Sequence, residues 1–387
     1  MSNIVLSAAV RQNLLSLQST ADLLSTTQNR LATGKKVNTA LDNPTNYFTA
    51  QGLDNRAGDI NNLLDSIGNG VQVLQAANTG ITSLQKLVDT AKSIANQVLQ
   101  APTGYSAKST VTSAAALGGT AANLVDGVTI KAGQTISIAA SGALPAVVVT
   151  IGASESLDQL NTALAAGNIT ASLDSANKLV FTTTNDFASS TIGAVTVGAT
   201  PGTLTFGAAV APVADAASQT IRSSLVKQYN DIITQISTTS QDASFNGINL
   251  LDGNSLKLIF NETGKSTLTI AGVSFDPNGL GLAPLAPGTD FIDNVLTGKV
   301  LNALNNASST LRSQASAFGA NLSIVQIRQD FAKNIINVLQ TGSANLTLAD
   351  SNEEAANSQA LSTRQSIAVS ALALANQSQQ SVLKLLQ

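Results

Sequence analysis

The 387-residue chain contains no cysteine, histidine or tryptophan. Their absence excludes disulfides, cysteine nucleophiles, zinc sites built from Cys and His, and acid–base chemistry by an imidazole near neutral pH. Only four glutamates occur, and the 19 aspartates are scattered singly in turn-like contexts. We therefore expect no catalytic group, no cofactor and no metal site, and we predict that the chain is not an enzyme.

Charged and aromatic residues are scarce as well, at 11% and 3% of the chain. Ser, Thr, Asn, Gln and Ala take their place, which favours extended contacts between polar, uncharged surfaces. The formal net charge is −3, and the sequence contains no basic run. Binding to nucleic acid or to an anionic membrane surface is not expected, since both need clustered Lys and Arg.

Long apolar runs are also missing. The most apolar stretch, residues 138–151, contains Gly142 and Pro145 and is typical of two strands and a turn rather than of a membrane helix, which needs ~18 uninterrupted apolar residues. The first residues lack the basic start and compact apolar run of a secretory signal peptide. We expect no membrane insertion, and either a cytoplasmic location or an export route that keeps the N-terminus.

Both ends of the chain carry apolar residues at alternating spacings of three and four, which is the pattern of a heptad seam. After an interruption at residues 33–46, the seam resumes over residues 50–98, and a second long seam runs over residues 301–339 without a slip. The first stretch, which has polar Gln28 in its seam, is formed by Leu14, Leu17, Leu24 and Leu31.

A last helix is predicted after a break at residues 341–345. Its apolar residues are Ala356, Ala360, Ile367, Ala371, Leu374, Val382 and Leu385. A stripe made mostly of alanine is marginal alone in water, so this helix should need a partner. One more helix is predicted at residues 215–240, with an apolar stripe of Ile221, Leu225, Tyr229, Ile232 and Ile236.

The middle of the chain has a different composition. Residues 104–213 are rich in Ala, Gly, Thr, Ser and Val, and short β-favouring runs predict strands at 128–130, 135–138, 147–151, 178–183 and 194–197. Residues 156–167 predict one short helix. Further on, residues 256–275 predict a β-hairpin around the turn sequence NETGK.

Together these patterns predict an α+β fold that is mainly α. Its core is a long antiparallel helical coiled coil or bundle, built from both termini, with a β-hairpin. A small β-rich outer domain is inserted between the helices.

The segment at residues 30–44, RLATGKKVNTALDNP, has the chemistry of a connector between helices. Gly34 ends a helix, and residues 42–44 open a turn before the next one. The order of its residues resembles the N-terminal signature of bacterial flagellins. The positions that carry this resemblance are Arg30, Leu31, Gly34, Asn38 and Asp42.

Two further segments support the resemblance. Residues 245–251, FNGINLL, with the hairpin after them resemble the inner-domain hairpin of flagellins, with Phe245, Asn246 and Gly247 as the matching turn. Residues 345–357 and 366–387 resemble the family's C-terminal helix. The resemblance covers roughly residues 1–103 and 214–387, and the insertion between them varies in this family.

The resemblance implies nested domains. Residues 1–45 with 345–387 would form an innermost terminal coiled coil. Residues 46–103 with 214–342 would form a rod-like inner helical domain that carries the hairpin, and residues 104–213 would form a variable β-rich outer domain.

The resemblance also implies a function. The chain would be a structural subunit that self-assembles into the extracellular bacterial flagellar filament used for swimming, exported unfolded without a cleaved signal peptide and polymerised at the tip. The implied partners are other copies of the chain, a flagellar export chaperone at the C-terminal helix, and hook-associated and cap proteins.

The family's epitope for an innate-immune receptor resembles residues Gln85, Lys86, Val88 and Asp89 of this chain. Val88 stands where an Arg is expected, and a valine cannot make the charge-assisted hydrogen bonds of an arginine. We therefore predict weak recognition by the flagellin-sensing receptor.

Two other functions remain open. Hook–filament junction proteins share the terminal helices, and Pro44 partly matches their Pro-Ser-Asp-Asp-Pro pattern. The outer domain could instead make the filament an adhesin. A filament-borne zinc peptidase is excluded, because its His-Glu-x-x-His motif needs histidine.

Overall fold

A computed structural model of the chain describes residues 8–198 and 204–385. The described residues form six α-helices, of which five are long and one, α3, lies in the middle region. They are α1 Ala8–Thr33, α2 Pro44–Gln100, α3 Leu157–Leu164, α4 Ala216–Asp242, α5 Asn294–Thr347 and α6 Ser351–Leu385.

The strands lie mainly between α2 and α4. They are β1 Tyr105–Ala107, β2 Thr110–Thr112, β3 Thr135–Ile138, β4 Val147–Thr150, β5 Ile169–Leu173, β6 Leu179–Thr183, β7 Val195–Gly198, β8 Val213–Ala214, β9 Leu256–Ile259 and β10 Thr267–Ile270. Two antiparallel sheets have the orders β2-β6-β5 and β4-β3-β7, β1 pairs with β8, and β9 pairs with β10 as a hairpin.

The chain divides into two compact units. The terminal unit comprises the described residues within 1–70, 257–268 and 324–387. The central unit comprises those within 71–256 and 269–323, and it includes the β-rich insertion, by which we mean the described residues of 104–213. The predicted fold class, mainly helical with a β-hairpin and a small β-rich insertion, is confirmed.

The two long heptad seams are also confirmed. On α2 the side chains of Ile67, Leu74, Ile81 and Leu84 have no solvent exposure. On α5 the buried positions follow the predicted spacing from Leu304 to Leu339, and polar Gln329 is half-buried among them.

The β-rich insertion has its own apolar core. Val111, Ile136 and Phe181 from the sheets pack in one buried cluster with Leu160 and Leu164 of α3. A capping box starts α3: the Ser156 hydroxyl accepts from the Gln159 amide, and the Gln159 side chain accepts from the Ser156 amide. The short helix predicted at residues 156–167 is thus confirmed.

The strand predicted at residues 128–130 is wrong, because a carboxylate binds the backbone amides that a strand would use. Asp126 accepts from the amides of Val128 at 2.8 Å, Thr129 at 2.7 Å and Ile130 at 3.0 Å, and from the Thr129 hydroxyl. Burial alone would raise the pKa of Asp126, but these bonds outweigh it and lower the pKa well below its ordinary value. The segment is therefore a bend rather than a strand.

The break predicted at residues 341–345 is wrong as well, because α5 continues to Thr347. Glycine is unfavourable inside a helix, but a Cβ at Gly342 would lie 3.4 Å from Leu53 Cδ1, so the helices approach closely here. The break falls at residues 348–350. There the Asp350 carboxylate accepts from the Asn352 amide at 2.9 Å and caps α6.

The stripe predicted for α4 is confirmed at Leu225, Tyr229 and Ile236, which are buried, but not at its other two positions. Ile221 is 49% exposed, whereas its neighbour Arg222 is only 2% exposed and Ile232 is half-buried. The buried side of α4 is formed by Arg222, Leu225, Val226, Tyr229, Ile233 and Ile236.

Candidate functional site

The motif at residues 30–44 forms the connector between α1 and α2. Gly34 follows the last residue of α1 with a φ of 68°, a left-handed conformation that glycine adopts without a steric penalty. The Asp42 carboxylate then accepts from the amides of Asn38 and Thr39, both at 2.9 Å. These two backbone bonds, the Thr39 amide first, lower the pKa of Asp42 from its ordinary value of 3.8.

The Asn38 side chain ties the connector back to the end of α1. Its amide nitrogen donates to the Thr33 hydroxyl at 3.0 Å and to the Lys35 carbonyl at 3.1 Å. Asn38 and Asp42 of the predicted motif are thus joined by a hydrogen bond, and Gly34 lies between the two residues that the Asn38 side chain binds. Arg30 and Leu31 lie in the last turn of α1, where Leu31 is 42% exposed.

The connector is held against the segment that joins α5 to α6. The Lys36 amide donates to the Thr347 carbonyl at 2.7 Å, and the Ala349 amide donates to the Gly34 carbonyl at 3.0 Å. Val37 packs into this junction and is 5% exposed. The two turns therefore fix the end of α1 relative to the start of α6 within the terminal unit.

An ion pair joins α1 to α6 next to these turns. Arg30 Nη1 lies 3.3 Å from Glu354 Oε1, and the Glu354 side chain is only 10% exposed. Within the part of the chain that the structure describes, Glu354 Oε2 has no hydrogen-bond partner. A buried carboxylate depends on its cation, so Arg30 and Glu354 define the relative rotation of the two helices.

Helix α1 packs against α6 through a seam that differs from the predicted one. Leu17 and Leu24 are half-buried, whereas Thr20 and Thr27, each three residues further along the helix, are buried at 2% and 6% exposure. Leu14 lies outside this seam and is 44% exposed. Among the α6 side chains that the structure describes, the half-buried or buried ones are Glu354, Ser358, Leu361, Gln365, Ala368, Leu372 and Ala375.

The apolar residues predicted for α6 lie mainly on its other side. At 100° per residue, Ile367 and Leu374 project away from the positions that are least exposed next to α1. They are 64% and 71% exposed. We call Ala356, Ala360, Ile367, Ala371 and Leu374 the outer stripe of α6. The side chains of Val382 and Leu385 lie outside the described residues.

The outer face of α5 in the terminal unit is apolar too. Ile327, Phe331 and Val338 recur at helical spacing on the side opposite the buried seam, and they are 68%, 57% and 65% exposed. A cleft of about 410 Å³ lies between the connector, the start of α2 and the end of α5. Asn38, Tyr47 and Gln340 are among the residues that line it. The terminal unit thus offers apolar helix faces without intramolecular partners among the described residues.

The second motif forms a tight turn in the central unit. Asn246 and Gly247 have φ values of 50° and 79°, and the amides of Phe245 and Ile248 each donate to the other's carbonyl at 3.0 Å. The pattern fits a two-residue hairpin turn. Phe245 remains 37% exposed.

Asn249, which the sequence analysis did not single out, anchors this turn to the end of α4. Its side-chain amide donates to the carbonyls of Ser240 at 2.7 Å and Gln241 at 2.9 Å, and its oxygen accepts from the Leu251 amide. A Cβ at Gly80 would lie 2.6 Å from Leu251 Cδ1, so α2 can approach the segment only because residue 80 is glycine.

The residues that resemble the receptor epitope differ in their exposure to solvent. Lys86 and Asp89 are exposed and Gln85 is half-buried, whereas Val88 is fully buried in the central unit. The valine therefore belongs to the packed side of α2. Weak recognition by the receptor stays a prediction.

Across residues 8–198 and 204–385, no helix combines the length and apolar character needed to cross a membrane. The same residues contain no group of three or more acidic side chains placed to hold a metal ion.

Comparison with known proteins places these features in a family. Residues 3–125 match the profile of the bacterial flagellin N-terminal helical region, and residues 301–386 match that of the bacterial flagellin C-terminal helical region. Together the two profiles match more than half of the chain. They contain the connector, the ion pair between α1 and α6, and the outer stripe of α6.

Individual relatives are similar over part of their length. Flagellin FljM of Caulobacter vibrioides is 29% identical over 163 residues, which are 42% of this chain and 58% of FljM. Flagellin C of Rhizobium meliloti is 25% identical over 211 residues, covering 42% of this chain and 66% of the relative. The chain thus matches less than two thirds of these relatives' length. From the two matched helical regions and the paired helices that they form, the chain belongs to the bacterial flagellin family.

Proposed function

We propose that the chain is the structural subunit of a bacterial flagellar filament and that it acts by self-assembly rather than by catalysis. The observation that carries this proposal is the outer stripe of α6, where Ile367 and Leu374 remain 64% and 71% exposed. A helix that is apolar on two sides is stable in water only when both sides are covered. Helix α1 covers one side within the chain, and neighbouring copies cover the other.

Repetition of such a contact leads to a filament. The outer stripe of α6 and the exposed face of α5 are different surfaces, so a contact between copies is not self-complementary in the way that a two-fold dimer requires. Heterologous contacts that do not close into a ring propagate as a helical assembly. In this proposal residues 1–45 with 345–387 form the innermost layer, and residues 46–103 with 214–342 form the layer around it.

The β-rich insertion, residues 104–213, then forms the outer layer. The proposed location is outside the cell, in the flagellar filament, where the assembly transmits rotation for swimming. The family likeness supports export without cleavage of a signal peptide and capture of the C-terminal helix by an export chaperone. Hook-associated and cap proteins would contact the two ends of the filament.

The connector supports this arrangement from within the subunit. Gly34, Asn38 and Asp42 fix the turn between α1 and α2, and Arg30 holds Glu354 at the start of α6. The α1–α6 pair is thereby presented to its neighbours in one rotation. Phe245, Asn246 and Gly247 act in the central unit, where they close the turn that supports the packing of α2.

Electron microscopy of the purified full chain after salt- or seed-induced assembly tests the proposal. The informative variant is Ile367→Gln with Leu374→Gln, which makes the outer stripe of α6 polar but leaves the seam with α1 unchanged. We expect an unchanged helical circular dichroism spectrum and loss of long filaments. The matched control, Ser362→Gln with Ser370→Gln, alters two exposed polar positions of the same helix and should assemble normally.

Two results would contradict the proposal. Normal filaments from the outer-stripe variant would show that this surface does not mediate assembly. No filaments from the unmodified chain, even with seeds, would favour the hook–filament junction protein instead.

A further inference from the structure

A buried arginine at the base of the β-rich insertion binds backbone carbonyls next to the ends of two long helices. Arg222 projects from α4 and is 2% exposed. Its Nε donates to the Pro102 carbonyl at 2.7 Å and its Nη2 to the Ala101 carbonyl at 3.2 Å, just after α2 ends. Its Nη1 donates to the Phe291 carbonyl at 2.6 Å, just before α5 begins.

The charge of Arg222 is satisfied by these carbonyl oxygens rather than by a paired carboxylate. Burial lowers the pKa of its guanidinium, and the nearby Asp293 carboxylate opposes that effect. A guanidinium has donors in a rigid plane that can bind several acceptors at once. Arg222 therefore fixes the geometry of three chain segments through a single side chain.

The backbone at Phe291 shows that this geometry is imposed. Phe291 has a φ of 59°, which is unusual for a bulky residue, and it is completely buried. Two contacts hold it there: the hydrogen bond from Arg222, and an edge-on ring contact with Tyr229 at 5.8 Å between centroids. Burial raises the pKa of the Tyr229 phenol to about 12.

Asp293, two residues after Phe291, forms hydrogen bonds with the insertion. Asp293 is 5% exposed, and its carboxylate accepts from the Ser189 amide at 2.8 Å and from the Ser189 hydroxyl. Ser189 belongs to the β-rich insertion. The conformation of Phe291, which Arg222 secures, determines where the Asp293 carboxylate points.

Two short strands connect the insertion to the helices along the chain. It leaves and rejoins the helices through β1 and β8, which pair at Tyr105 with Ala214 and at Ala107 with Val213, with an irregular register between the two pairs. A two-stranded ribbon of this length has little stability of its own. It connects the insertion to the helices, where Val295 of α5 also packs against the apolar cluster of the insertion. A short ribbon and a non-directional apolar contact do not fix an orientation as hydrogen bonds do.

We propose that Arg222, Phe291 and Asp293 form a latch that holds the β-rich insertion in one orientation on the helices of the central unit. With the latch closed, the insertion is a rigid extension of α2, α4 and α5. When Arg222 or the bond between Asp293 and Ser189 is lost, the insertion moves about the β1–β8 ribbon. The latch is independent of the contacts that we propose for assembly.

Distance measurements between two spin labels test the latch in the full chain. The chain contains no cysteine, so Ala163→Cys in α3 and Ser313→Cys in α5 provide the two label sites, both exposed. We expect a narrow distance distribution in the otherwise unmodified chain. Arg222→Met and Asp293→Asn should each broaden it about twofold, because the orientation is no longer fixed.

Two matched controls separate the latch from general effects of the substitutions. Lys227→Met removes an exposed basic residue from the same helix as Arg222, where Lys227 pairs only with Asp231 at 3.2 Å among the contacts of its amino group that the structure describes. Asp290→Asn changes a carboxylate three residues before Asp293 that accepts from the Ala286 amide. Both controls should keep the narrow distribution.

Loss of the buried Arg222 could also prevent folding, so a milder variant accompanies it. Ser189→Ala removes one of the two bonds to Asp293 from the insertion side and leaves every helix unchanged. In this variant, hydrogen exchange of residues 186–193 should rise about tenfold while exchange in β5 and β6 stays constant. A broad distribution in the unmodified chain, or unchanged width and exchange in the folded Asp293→Asn and Ser189→Ala variants, would overturn the proposal.

Discussion

The helices of the central unit and those of the terminal unit bury their apolar residues to very different extents. In the central unit, Leu74, Ile81 and Leu84 of α2 have no solvent exposure. In the terminal unit, Ile327 and Leu374 are 68% and 71% exposed, while Thr20 lies buried between α1 and α6. The seam of α2 in the central unit is covered within the chain, whereas the outer faces of α5 and α6 in the terminal unit are not.

The difference follows from the number of helices available to each stripe. A stripe of large side chains that meets helices on several sides closes into a dry core. The α1–α6 pair has one seam, and that seam contains threonine, serine and glutamine. The remaining apolar faces are available for other copies of the chain, which is the physical basis of the proposed assembly.

The largest predicted effect is in the central core. Leu84→Ala should lower the free energy of unfolding by about 2–5 kcal/mol, because it leaves a cavity in a fully buried site. Urea unfolding followed by circular dichroism measures this change. In the terminal unit, Leu374→Ala should change stability by less than about 0.5 kcal/mol. Equal losses from the two substitutions would mean that the ends are packed as tightly as the centre.

A pair of glycine substitutions in α2 sharpens the same comparison. Gly80→Ala places a methyl group 2.6 Å from Leu251 Cδ1 and 2.7 Å from Ala243 Cβ, so we expect a loss of about 1–3 kcal/mol from overpacking. Gly52 of the terminal unit has no heavy atom within 4 Å of the same position. Gly52→Ala should therefore raise the thermal midpoint, with a gain of about 0.5–1 kcal/mol. Thermal unfolding of both variants measures the contrast, and a gain from Gly80→Ala would contradict it.

The polar seam between α1 and α6 predicts a smaller change in stability, and this change is a gain. Thr20→Val with Thr27→Val replaces two buried hydroxyls by methyl groups. The added apolar burial should outweigh the loss of the bond from the Thr20 hydroxyl to the Ser16 carbonyl at 2.7 Å and stabilise the α1–α6 pair by about 0.5–1 kcal/mol. The control is Thr26→Val, an exposed position on the same helix that should change stability by less than about 0.5 kcal/mol. Amide hydrogen exchange in α1 measures both, and faster exchange in the double variant would show that the hydroxyls stabilise the pair.

The smallest predicted effect is the pH dependence of the connector. The pKa of Asp42 is lowered in the folded chain, so its contribution is fully present above the ordinary value of 3.8 and is lost as the pH falls through the folded value. Nuclear magnetic resonance of the Asn38 and Thr39 amides should show their hydrogen bonds weakening in that acidic range. The variant Asp42→Asn should remove this dependence, and an unchanged titration in the variant would assign it to another group.

Much of the helical fold could be predicted from spacing alone. The seams of α2 and α5 have mostly apolar residues at alternating spacings of three and four over many turns, so one side of each helix is expected to be buried. Apolar spacing likewise predicted α3, and two β-favouring runs around a turn sequence predicted the β9–β10 hairpin. Arg222 could have been noticed, because it stands at helical spacing from Leu225 and Tyr229, but an isolated arginine on such a stripe is usually a solvated residue.

The rotation of α1 and α6 could not be predicted in the same way. Helix α6 has two stripes of similar strength, one through Leu361 and Leu372 and one through Ile367 and Leu374. Spacing alone does not say which of them meets α1. The pairing of Arg30 with Glu354 and the bond from Ala349 to Gly34 decide it, and both join residues that lie more than 300 positions apart.

The sequence by itself determined that the chain has no thiol or imidazole chemistry, that its long helices come from both ends, and that a β-rich segment lies between them. These properties follow from composition and from local periodicity, which need no knowledge of distant contacts. Only the tertiary structure decided that α5 continues through Gly342 and that Arg222 is buried. Each of these depends on a close approach or a hydrogen bond whose energy exceeds the local preference of the chain.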